Sequence, residues 1–377
     1  MMKEGSLNMR NNKKKSEKEL FRLLIIGKKE RFTQLEDFCY ELEKRTVKTR
    51  LIDDMEFLNK TFDINFKSRM EKNFRIKEVL KNFQPNLVLF DRVTKVTDFV
   101  LKQNFPIIIL LRGNYWEEAR IAKENTNSRI KKLAIERNMR LNDTCFKKSS
   151  LILPISTYLQ TVVKRRYPNN AIELFPGDGR IPSEWKIVNS RNLKHPCVGL
   201  LQGLNIWGKT KELLLLKKAL VKFPETTFYL AGDGEYNQKI ISELESFENF
   251  VWLKNLEYPN KVIEFLSEID VYLLLTGLEG LGQTVIEAAL LKKPIIASNT
   301  GGVPDLIKND ETGFLIEKNN GDMLIEKINI CLNNKEISEK IAMNAYLDIK
   351  NRFSWNSLSE KFIGIILSHF KKFMLNK

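Results

Sequence analysis

Histidine and cysteine are scarce in this chain of 377 residues. Two histidines and four widely separated cysteines, with no C-x-x-C pair, argue against a disulfide framework, a histidine-based metal cage and a Ser-His-Asp triad. Isolated cysteines are typical of a reducing compartment, so we expect a cytoplasmic location. The residues concerned are His195, His369, Cys39, Cys145, Cys197 and Cys331.

Long apolar runs are also lacking. The longest ones, such as FPIIILL at 105–111, have the length of a strand. None approaches the roughly 18 residues that identify a membrane-spanning helix. The basic start of the chain is followed by an apolar stretch that is too short for a secretory signal. We therefore expect residues 1–19 to be a disordered basic tail.

Positive charge is concentrated in the first half. Of the net +15, residues 1–189 carry 39 Lys and Arg against 24 Asp and Glu (+15), residues 190–350 carry 18 against 22 (−4), and residues 351–377 carry 5 against 1 (+4). A basic domain predicts an anionic partner such as a lipid headgroup or a phosphorylated acceptor, although a coding bias toward lysine explains it equally well. No nucleic-acid-binding motif is present in the sequence, so we expect no nucleic acid partner.

Short apolar, β-branched runs alternate with longer segments of helical spacing along the chain. Such runs are typical of buried parallel strands, and their alternation with helices indicates doubly wound α/β sheets. In the first half the predicted strands are 22–27, 87–90, 106–111 and 151–155. In the second half they are 197–201, 227–231, 250–253, 270–275, 294–297 and 313–316, with helices at about 210–222, 235–247, 259–267 and 283–291.

A cluster of Pro, Gly and Asp at 175–185, FPGDGRIPSEW, separates the two α/β patterns. Such clusters form connections, and a chain of this length usually folds as two domains. We predict one Rossmann-like domain over 20–185 and another over 190–352. A helix over 355–377, with apolar residues at helical spacing, is predicted to belong with the first domain. Within the connection, Gly179 is interpreted as a turn glycine.

The stretch from Leu273 to Ile316 carries the residues best suited to chemistry. Backbone N–H groups at 281–284 open a predicted helix, so they offer hydrogen-bond donors to an anion such as a diphosphate. Glu287 lies about one turn inside that helix, where it can accept hydrogen bonds from vicinal hydroxyls. Glu279 precedes the turn, nearer any group attached beyond the phosphates.

The string EGLGQTVIEAALLKKPIIASNTGGVPDLIKNDETGFLI, which begins at Glu279, resembles the signature of glycosyltransferase family 4. That signature reads E-G-F-G-x-x-x-x-E-A-x-x-x-G-x-P-V-V-A, followed by G-G-x-x-E and G-x-L. Other segments resemble the family in the same order, and the resemblance covers essentially all of 195–370. They are VGLLQGLNIWGKTKELL at 198–214, YLAGDGEY at 229–236, FVWLKNLEYPNKVIEFLSEIDVYLLLT at 250–276 and FSW at 353–355.

The resemblance implies a GT-B fold, in which two Rossmann-like domains face each other across a cleft and a C-terminal helix crosses back to the first. It also implies a retaining glycosyltransferase that takes a sugar from a nucleoside-diphosphate donor held by the second domain. No metal cofactor is expected, since basic side chains and amides take its place and no D-x-D motif is present. The implied catalytic residues are Glu279 and Lys209, and the implied donor-binding residues are Glu287, Leu281, Gly282, Gln283, Thr284 and Gly203. A solvated lysine at a helix start remains the alternative for Lys209.

Two positions depart from the family pattern. The family arginine that follows the glycine equivalent to Gly203 is Leu204 here, so its phosphate contact is lost unless a residue such as Lys211 supplies it. The family histidine is Arg112, which we predict, with Gly113 and Asn114, to lie on the acceptor side or near the sugar. An arginine can hold a phosphate or a carboxylate but cannot act as a general base; a salt-bridged surface arginine is an equal alternative.

These departures favour a competing hypothesis, a degenerate GT-B protein that binds a nucleotide or an anionic membrane without turnover. The retained Glu279, Lys209 and Glu287 oppose it. For an active enzyme the acceptor, whether a glycan, a lipid-linked or a small molecule, stays open, as does the choice between UDP and GDP donors. By resemblance the base is recognised through the backbone around 254–258.

The basic segment 118–140 is compatible with a helix, and KRR at 164–166 adds to its charge. Peripheral binding to anionic lipid at the inner face of the membrane is therefore one hypothesis, and a solvated helix face is the other.

Overall fold

A computed structural model describes residues 21–57, 66–189 and 193–375. The predicted tail, residues 1–19, lies outside the described residues. Within them the chain forms two α/β domains, each built on a sheet whose paired strands are all parallel, as the sequence predicts.

The first domain alternates strands and helices along the chain. Its strands are β1 (Phe21–Gly27), β2 (Val47–Asp53), β3 (Leu87–Phe90), β4 (Ile107–Leu111) and β5 (Leu151–Pro154). Its helices are α1 (Phe32–Glu43), α2 (Phe66–Phe83), α3 (Lys95–Leu101), α4 (Tyr115–Glu124), α5 (Arg129–Lys148) and α6 (Thr157–Arg166).

The second domain repeats the alternation. Its strands are β6 (Cys197–Leu201), β7 (Thr227–Ala231), β8 (Phe250–Lys254), β9 (Val271–Leu274), β10 (Ile295–Ser298) and β11 (Phe314–Ile316). Its helices are α7 (Trp207–Thr210), α8 (Leu216–Lys222), α9 (Asn237–Leu244), α10 (Asn260–Glu268), α11 (Gln283–Leu290), α12 (Gly321–Asn333) and α13 (Lys335–Arg352), and the chain then continues into α14 (Trp355–Leu375).

Both sheets have the strand orders of nucleotide-binding folds. The first sheet runs β2-β1-β3-β4-β5, the flavodoxin-like order, and the second runs β11-β10-β9-β6-β7-β8, the order of the dinucleotide-binding fold. In such sheets the strand order reverses at one point, and ligands bind beyond the carboxyl ends of the strands there. The reversals fall between β1 and β3 and between β6 and β9.

All ten predicted strands are present, each within one residue of its predicted ends, but β2 was not predicted. It is an edge strand in which only Val47 and Ile52 are buried while Lys48 and Arg50 are exposed, so it lacks the continuous apolar run of its neighbours. The helix predicted at 210–222 also differs. It begins earlier, at Trp207, and is interrupted by a 3-10 segment, Lys211–Leu215.

The C-terminal helix α14 returns to the first domain, where it packs against α1. The ring of Trp355 is buried and stacks on Phe38, with 4.9 Å between ring centroids, and Phe362 meets the edge of Phe38 at 5.2 Å. Burial of these large aromatic rings makes the helix an integral layer of the first domain.

The chain passes between the domains at two places that lie side by side. The backbone N–H of Arg180, in the connection, donates to the carbonyl of Phe353, and the N–H of Trp355 donates to the carbonyl of Arg180. Between them Gly179 lies against the indole of Trp355, since a Cβ at this position would come within 2.5 Å of the ring. Its φ is not in the left-handed region. The interpretation of Gly179 as a turn glycine was therefore wrong: close packing, rather than turn geometry, excludes a side chain here.

We expect Gly179→Ala to destabilise the protein by about 2 kcal/mol, because the added methyl overlaps a buried ring in a close-packed layer. A melting-temperature measurement against wild type checks this. The matched control is Gly364→Ala in α14, where a Cβ meets no atom within 4 Å. It should stabilise the helix by up to about 1 kcal/mol. Equal effects of the two substitutions would contradict the packing argument.

Candidate active site

The candidate site lies at the carboxyl edge of the second sheet, where the strand order reverses between β6 and β9. The loop that follows β6 carries Gly203, and the loop that follows β9 carries Glu279. A Cβ on Gly203 would meet no atom within 4 Å, so the backbone there borders open space. This is the crevice in which parallel sheets bind ligands.

Lys209, in α7, and Glu279 are brought into contact. The Nζ of Lys209 donates to the Oε1 of Glu279 at 3.0 Å, and the N–H of Gly280 donates to the same oxygen at 2.9 Å. The two side chains are 23% and 16% exposed. Burial opposes the charge of Lys209, but Glu279, together with Glu118, raises the pKa of the ammonium group above its usual value. Lys209 is therefore a paired cation in the cleft rather than a solvated lysine.

Helix α11 begins beside this pair with unpaired backbone amides. Gly282 precedes the helix with a φ of 101°, a left-handed conformation that favours glycine, and no side chain caps the helix. In the described part of the chain, the backbone N–H groups of Leu281, Gly282, Gln283 and Thr284 donate no hydrogen bond. The predicted donor-binding segment thus offers four N–H groups and the positive end of a helix dipole to an anion.

Glycines allow three loops to meet at the backbone of Glu279. Gly301 has a φ of 56°, and a Cβ there would lie 1.9 Å from the carbonyl oxygen of Glu279. The N–H of Gly302 donates to that carbonyl at 3.1 Å. On the other side, a Cβ on Gly280 would lie 2.0 Å from the carbonyl oxygen of Arg112, in the first domain. Backbone contacts therefore fix the position of the Glu279 carboxylate.

Glu287 is buried in α11, and an arginine from the connection pairs with it. The Nη2 of Arg180 donates to the Oε1 of Glu287 at 2.5 Å. Tyr258 lies against the same group: burial and Glu287 raise the pKa of its hydroxyl, while Arg180 opposes this. Arg180 was not predicted from the sequence, and Tyr258 was included only in the segment 254–258, which was expected to recognise the base through its backbone. The available signal for Arg180 was a charged residue inside a Pro-Gly connection.

Leu204 does not face the cleft. Its side chain is fully buried in the core of the second domain, and its N–H donates to the carbonyl of Asp233. Gly232 and Gly234 allow this close approach, because a Cβ on either would lie within 2.4 Å of the backbone at Gln202 or Leu204. The position held by an arginine in the resembling family is therefore part of an apolar core here.

Arg112, predicted on the acceptor side, is held by two carboxylates of its own domain and the connection. Its Nε donates to Asp91 and its Nη1 to Asp178, both at 2.6 Å, and its Nη2 donates to the carbonyl of Gly177. Arg31 also donates to Asp178, at 2.7 Å. Burial opposes the charge of Arg112, but the two carboxylates raise its pKa above the usual value. The guanidinium is thus salt-bridged, but its side chain is only 13% exposed rather than on the open surface, and a ligand role for Arg112 stays a prediction.

The other two residues predicted on the acceptor side have local structural roles. Asn114 caps α4, since its Oδ1 accepts from the N–H of Glu117, and its Nδ2 donates to the hydroxyl of Tyr158 at 2.7 Å. Gly113 leaves room for Glu118, whose Oε1 would lie 2.5 Å from a Cβ at this position.

Glu118 belongs to the site although the sequence did not single it out. Burial raises the pKa of its carboxyl group above the usual value, an effect that Lys209 opposes and Glu279 reinforces. It lines a cavity of about 350 Å³ between the domains, together with Trp207 and Tyr236 of the second domain. A glutamate in a charged helix gives no sequence signal, because most such residues are solvated.

The domains also touch at the start of α6. The carboxylate of Asp305, in the second domain, accepts from the N–H of Thr157 at 2.6 Å and from its Oγ1 at 2.5 Å. A carboxylate at a helix N-terminus is favoured by the helix dipole. This contact ties the second domain to the first at α6.

Among the residues that the structure describes, one group of three could hold a metal ion: His195, Cys197 and Asp270. It lies at the amino-terminal end of β6, whereas Glu279 and Lys209 lie beyond the carboxyl ends of the strands. The group therefore takes no part in chemistry at the cleft.

The second domain matches a known family. Residues 204–348 match the model of the family described as Glycosyl transferases group 1. That range contains Lys209, Glu279, the opening of α11 and Glu287. The match assigns this part of the chain to the group 1 glycosyltransferase superfamily; the narrower assignment to glycosyltransferase family 4 stays a prediction.

Similar proteins agree with this assignment. An uncharacterized glycosyltransferase of Methanocaldococcus jannaschii is 27% identical over 218 residues, which are 55% of this chain and 56% of the relative. The capsular polysaccharide biosynthesis glycosyltransferase CapM of Staphylococcus aureus is 33% identical over 118 residues, 30% of each protein. The chain thus spans at most 56% of the length of these two relatives.

Solved structures share the whole fold. HepE of Anabaena, crystallised with UDP and glucose, superposes with a TM-score of 0.69 at 16% identity, covering 92% of this chain and 100% of that one. Sucrose-phosphate synthase of Thermosynechococcus elongatus gives 0.74 at 13% identity, covering 93% and 100%. Likeness at these identities concerns the fold alone, and it confirms the predicted GT-B architecture.

We expect Asp305→Ala to loosen the contact between the domains, because the amide of Thr157 loses a charged hydrogen-bond partner. Hydrogen exchange at Thr157 should accelerate by about tenfold or more, since such bonds contribute about 1.5–3 kcal/mol. Mass spectrometry of peptides that span the start of α6 measures this. Asp322→Ala is the control, because among the described residues Asp322 pairs with Lys218 of its own domain and with no residue of the first domain. Unchanged exchange in Asp305→Ala would show that the contact contributes nothing to holding the domains together.

Proposed function

We propose that the protein is a glycosyltransferase of family 4 that moves a sugar, with retention and without a metal, from a nucleoside-diphosphate sugar to an acceptor. The observation that carries the proposal is the Lys209–Glu279 pair beside the free amides that open α11. The match of this region to group 1 glycosyltransferases supports it. HepE, which shares the fold, binds UDP and UDP-glucose, which supports a UDP-sugar donor, with GDP as the alternative.

The proposed chemistry follows from the charges of the site. The bond between the anomeric carbon and the terminal phosphate oxygen breaks, and negative charge develops on the leaving diphosphate. The ammonium group of Lys209 and the amides at 281–284 stabilise that charge, as fixed donors do in a water-poor site. Oε1 of Glu279 is held by Lys209 and Gly280, so its other oxygen is available to the hydroxyls of the donor sugar and to positive charge at the anomeric carbon.

The acceptor hydroxyl attacks the anomeric carbon, and its proton passes to the leaving diphosphate. Retention requires attack from the face that the diphosphate leaves, and this part of the proposal rests on the resemblance to family 4. The cavity beside Glu118 supports an acceptor site, because it offers the carboxylates of Glu118 and Glu235, the side-chain amides of Asn138 and Asn142, and aromatic rings such as that of Trp207. Hydroxyl-rich acceptors such as glycans suit this mixture of polar and aromatic groups.

A degenerate protein that binds a nucleotide without turnover is the second candidate. Two observations favour it: Leu204 is buried, so it leaves one fewer cation at the cleft, and the carboxylate of Glu287 is already paired with Arg180. Substrate turnover separates the two candidates, since both predict nucleotide binding.

We further propose a cytoplasmic protein that associates with the inner face of the membrane. The four cysteines are all free, as a reducing compartment allows. Helix α5 supports membrane contact, because Ile130 and Leu133 are 81% and 66% exposed and lie among exposed basic residues, including Lys131 and Lys132. No helix in the described ranges is long and apolar enough to cross a bilayer.

Isothermal calorimetry against UDP, GDP and ADP without metal tests the donor site. One nucleotide should bind the wild-type chain, and Lys209→Ala should weaken it by about tenfold or more, because a charged hydrogen bond contributes about 1.5–3 kcal/mol. Glu287→Ala should weaken the same nucleotide. Lys239→Ala is the control, since Lys239 lies over the ring of Trp207 and, among the residues that the structure describes, pairs with none of the predicted donor-binding residues. Absence of binding by all three nucleotides would overturn the proposal.

Sedimentation with vesicles of phosphatidylcholine and phosphatidylglycerol tests the membrane hypothesis. Wild type should bind in low salt and be released by high salt, and the double substitution Ile130→Asp and Leu133→Asp should lower binding by about tenfold, because it removes apolar side chains and adds negative charge. Ile337→Asp, at an exposed apolar residue of α13, is the control and should bind like wild type. Binding that is absent, or insensitive to salt, would eliminate the hypothesis.

A further inference from the structure

Arg180 is anchored in the connection between the domains. Its N–H and carbonyl bond to the backbone of Phe353 and Trp355, where the chain crosses back to the first domain. The side chain runs the other way, into the second domain. Arg180 is only 2% exposed, which is unusual for an arginine, and Glu287, its partner in the ion pair, is 3% exposed.

The contact between these side chains is specific. Nη2 of Arg180 donates to Oε1 of Glu287 at 2.5 Å, and Nη1 donates to the carbonyl of Gly179 at 2.8 Å. The Nε is buried and has no hydrogen-bond partner among the described residues. One oxygen of the carboxylate is thus fixed by the arginine, and the hydroxyl of Tyr258 lies beside the same carboxylate.

A buried carboxylate needs a partner of opposite charge, and a side chain with several rotatable bonds needs a contact to hold one rotamer. Arg180 meets both requirements. Other titratable groups near Arg180 are Asp178 and the hydroxyl of Tyr258. Farther away is Asp37 of α1, which lies near Glu184 of the connection.

We propose that Arg180 is a positioning residue for the donor nucleotide: it holds the carboxylate of Glu287 in the orientation in which that carboxylate accepts the ribose hydroxyls. The inference rests on the proposed function, in which Glu287 reads the ribose. It adds a residue from outside the second domain to that recognition. Because the backbone of Arg180 is bonded to Phe353 and Trp355, ribose recognition depends on the position of the connection between the domains.

The test compares two changes, removal of the Arg180 side chain from the protein and removal of the 2′-hydroxyl from the nucleotide, alone and together. Calorimetry measures the nucleoside diphosphate that wild type binds best among UDP, GDP and ADP, and then its 2′-deoxy counterpart. Wild type should prefer the ribonucleotide by about tenfold, the range of a charged hydrogen bond. Arg180→Met should reduce this preference to less than about threefold. A general loss of positive charge lowers the affinity for both nucleotides equally, so it does not change the ratio of the two dissociation constants.

Two further variants complete the cycle. Glu287→Gln keeps Arg180 and should also lose most of the preference. Arg45→Met is the control, because Arg45 pairs with Glu360 between α1 and α14 and touches no donor residue; its preference should equal that of wild type.

The outcomes are distinct. An unchanged ratio in Arg180→Met, whatever the absolute affinity, would overturn the positioning role and leave Arg180 a structural residue. If Arg180→Met does not fold, Arg180→Lys decides: its shorter reach and single charged nitrogen should lower the preference, and a wild-type ratio would overturn the inference. Wild-type binding without any preference for ribose rejects ribose recognition by Glu287, and the positioning role of Arg180 with it, but leaves the proposed function standing. Absence of nucleotide binding rejects the proposed function and the inference together.

Discussion

Opposite charges two residues apart hold the connection between the domains. Asp178 accepts from Arg31 and Arg112 of the first domain, while Arg180 donates to Glu287 of the second. A buried charge that loses its partner costs several kcal/mol, so each pair ties the connection firmly to one domain. The spacing of the two loops across the cleft depends on these attachments.

The two domains together bring charged groups into the cleft that neither domain supplies alone. Lys209 and Glu279 belong to the second domain, but the charge of Glu118, on α4 of the first, acts on both, and the backbone of Arg112 packs on Gly280. The ammonium group, two carboxylates and free amides therefore share a cleft with limited access to water. Electrostatic interactions are stronger there than at an open surface, which suits the stabilisation of a leaving diphosphate.

The sequence predicted the fold well because the signal for buried parallel strands is local. Each predicted strand is a continuous apolar run, and the run alone reveals it. The edge strand β2 escaped prediction because solvent on one side lets Lys48 and Arg50 interrupt the pattern. The glycine at 179 was misread for a related reason: a turn glycine and a glycine under a tryptophan ring look the same in sequence.

By itself the sequence determined the order of strands and helices, the two-domain α/β architecture and the string from Glu279 to Ile316, since these depend on residues close together in the chain. Only the tertiary structure decided the partners of each charge. Arg180 and Glu287 are 107 positions apart, and Arg112 and Asp178 are 66 apart. Charged residues carry no periodic signal that identifies a partner, because a buried ion pair depends on how two domains pack and not on the local pattern.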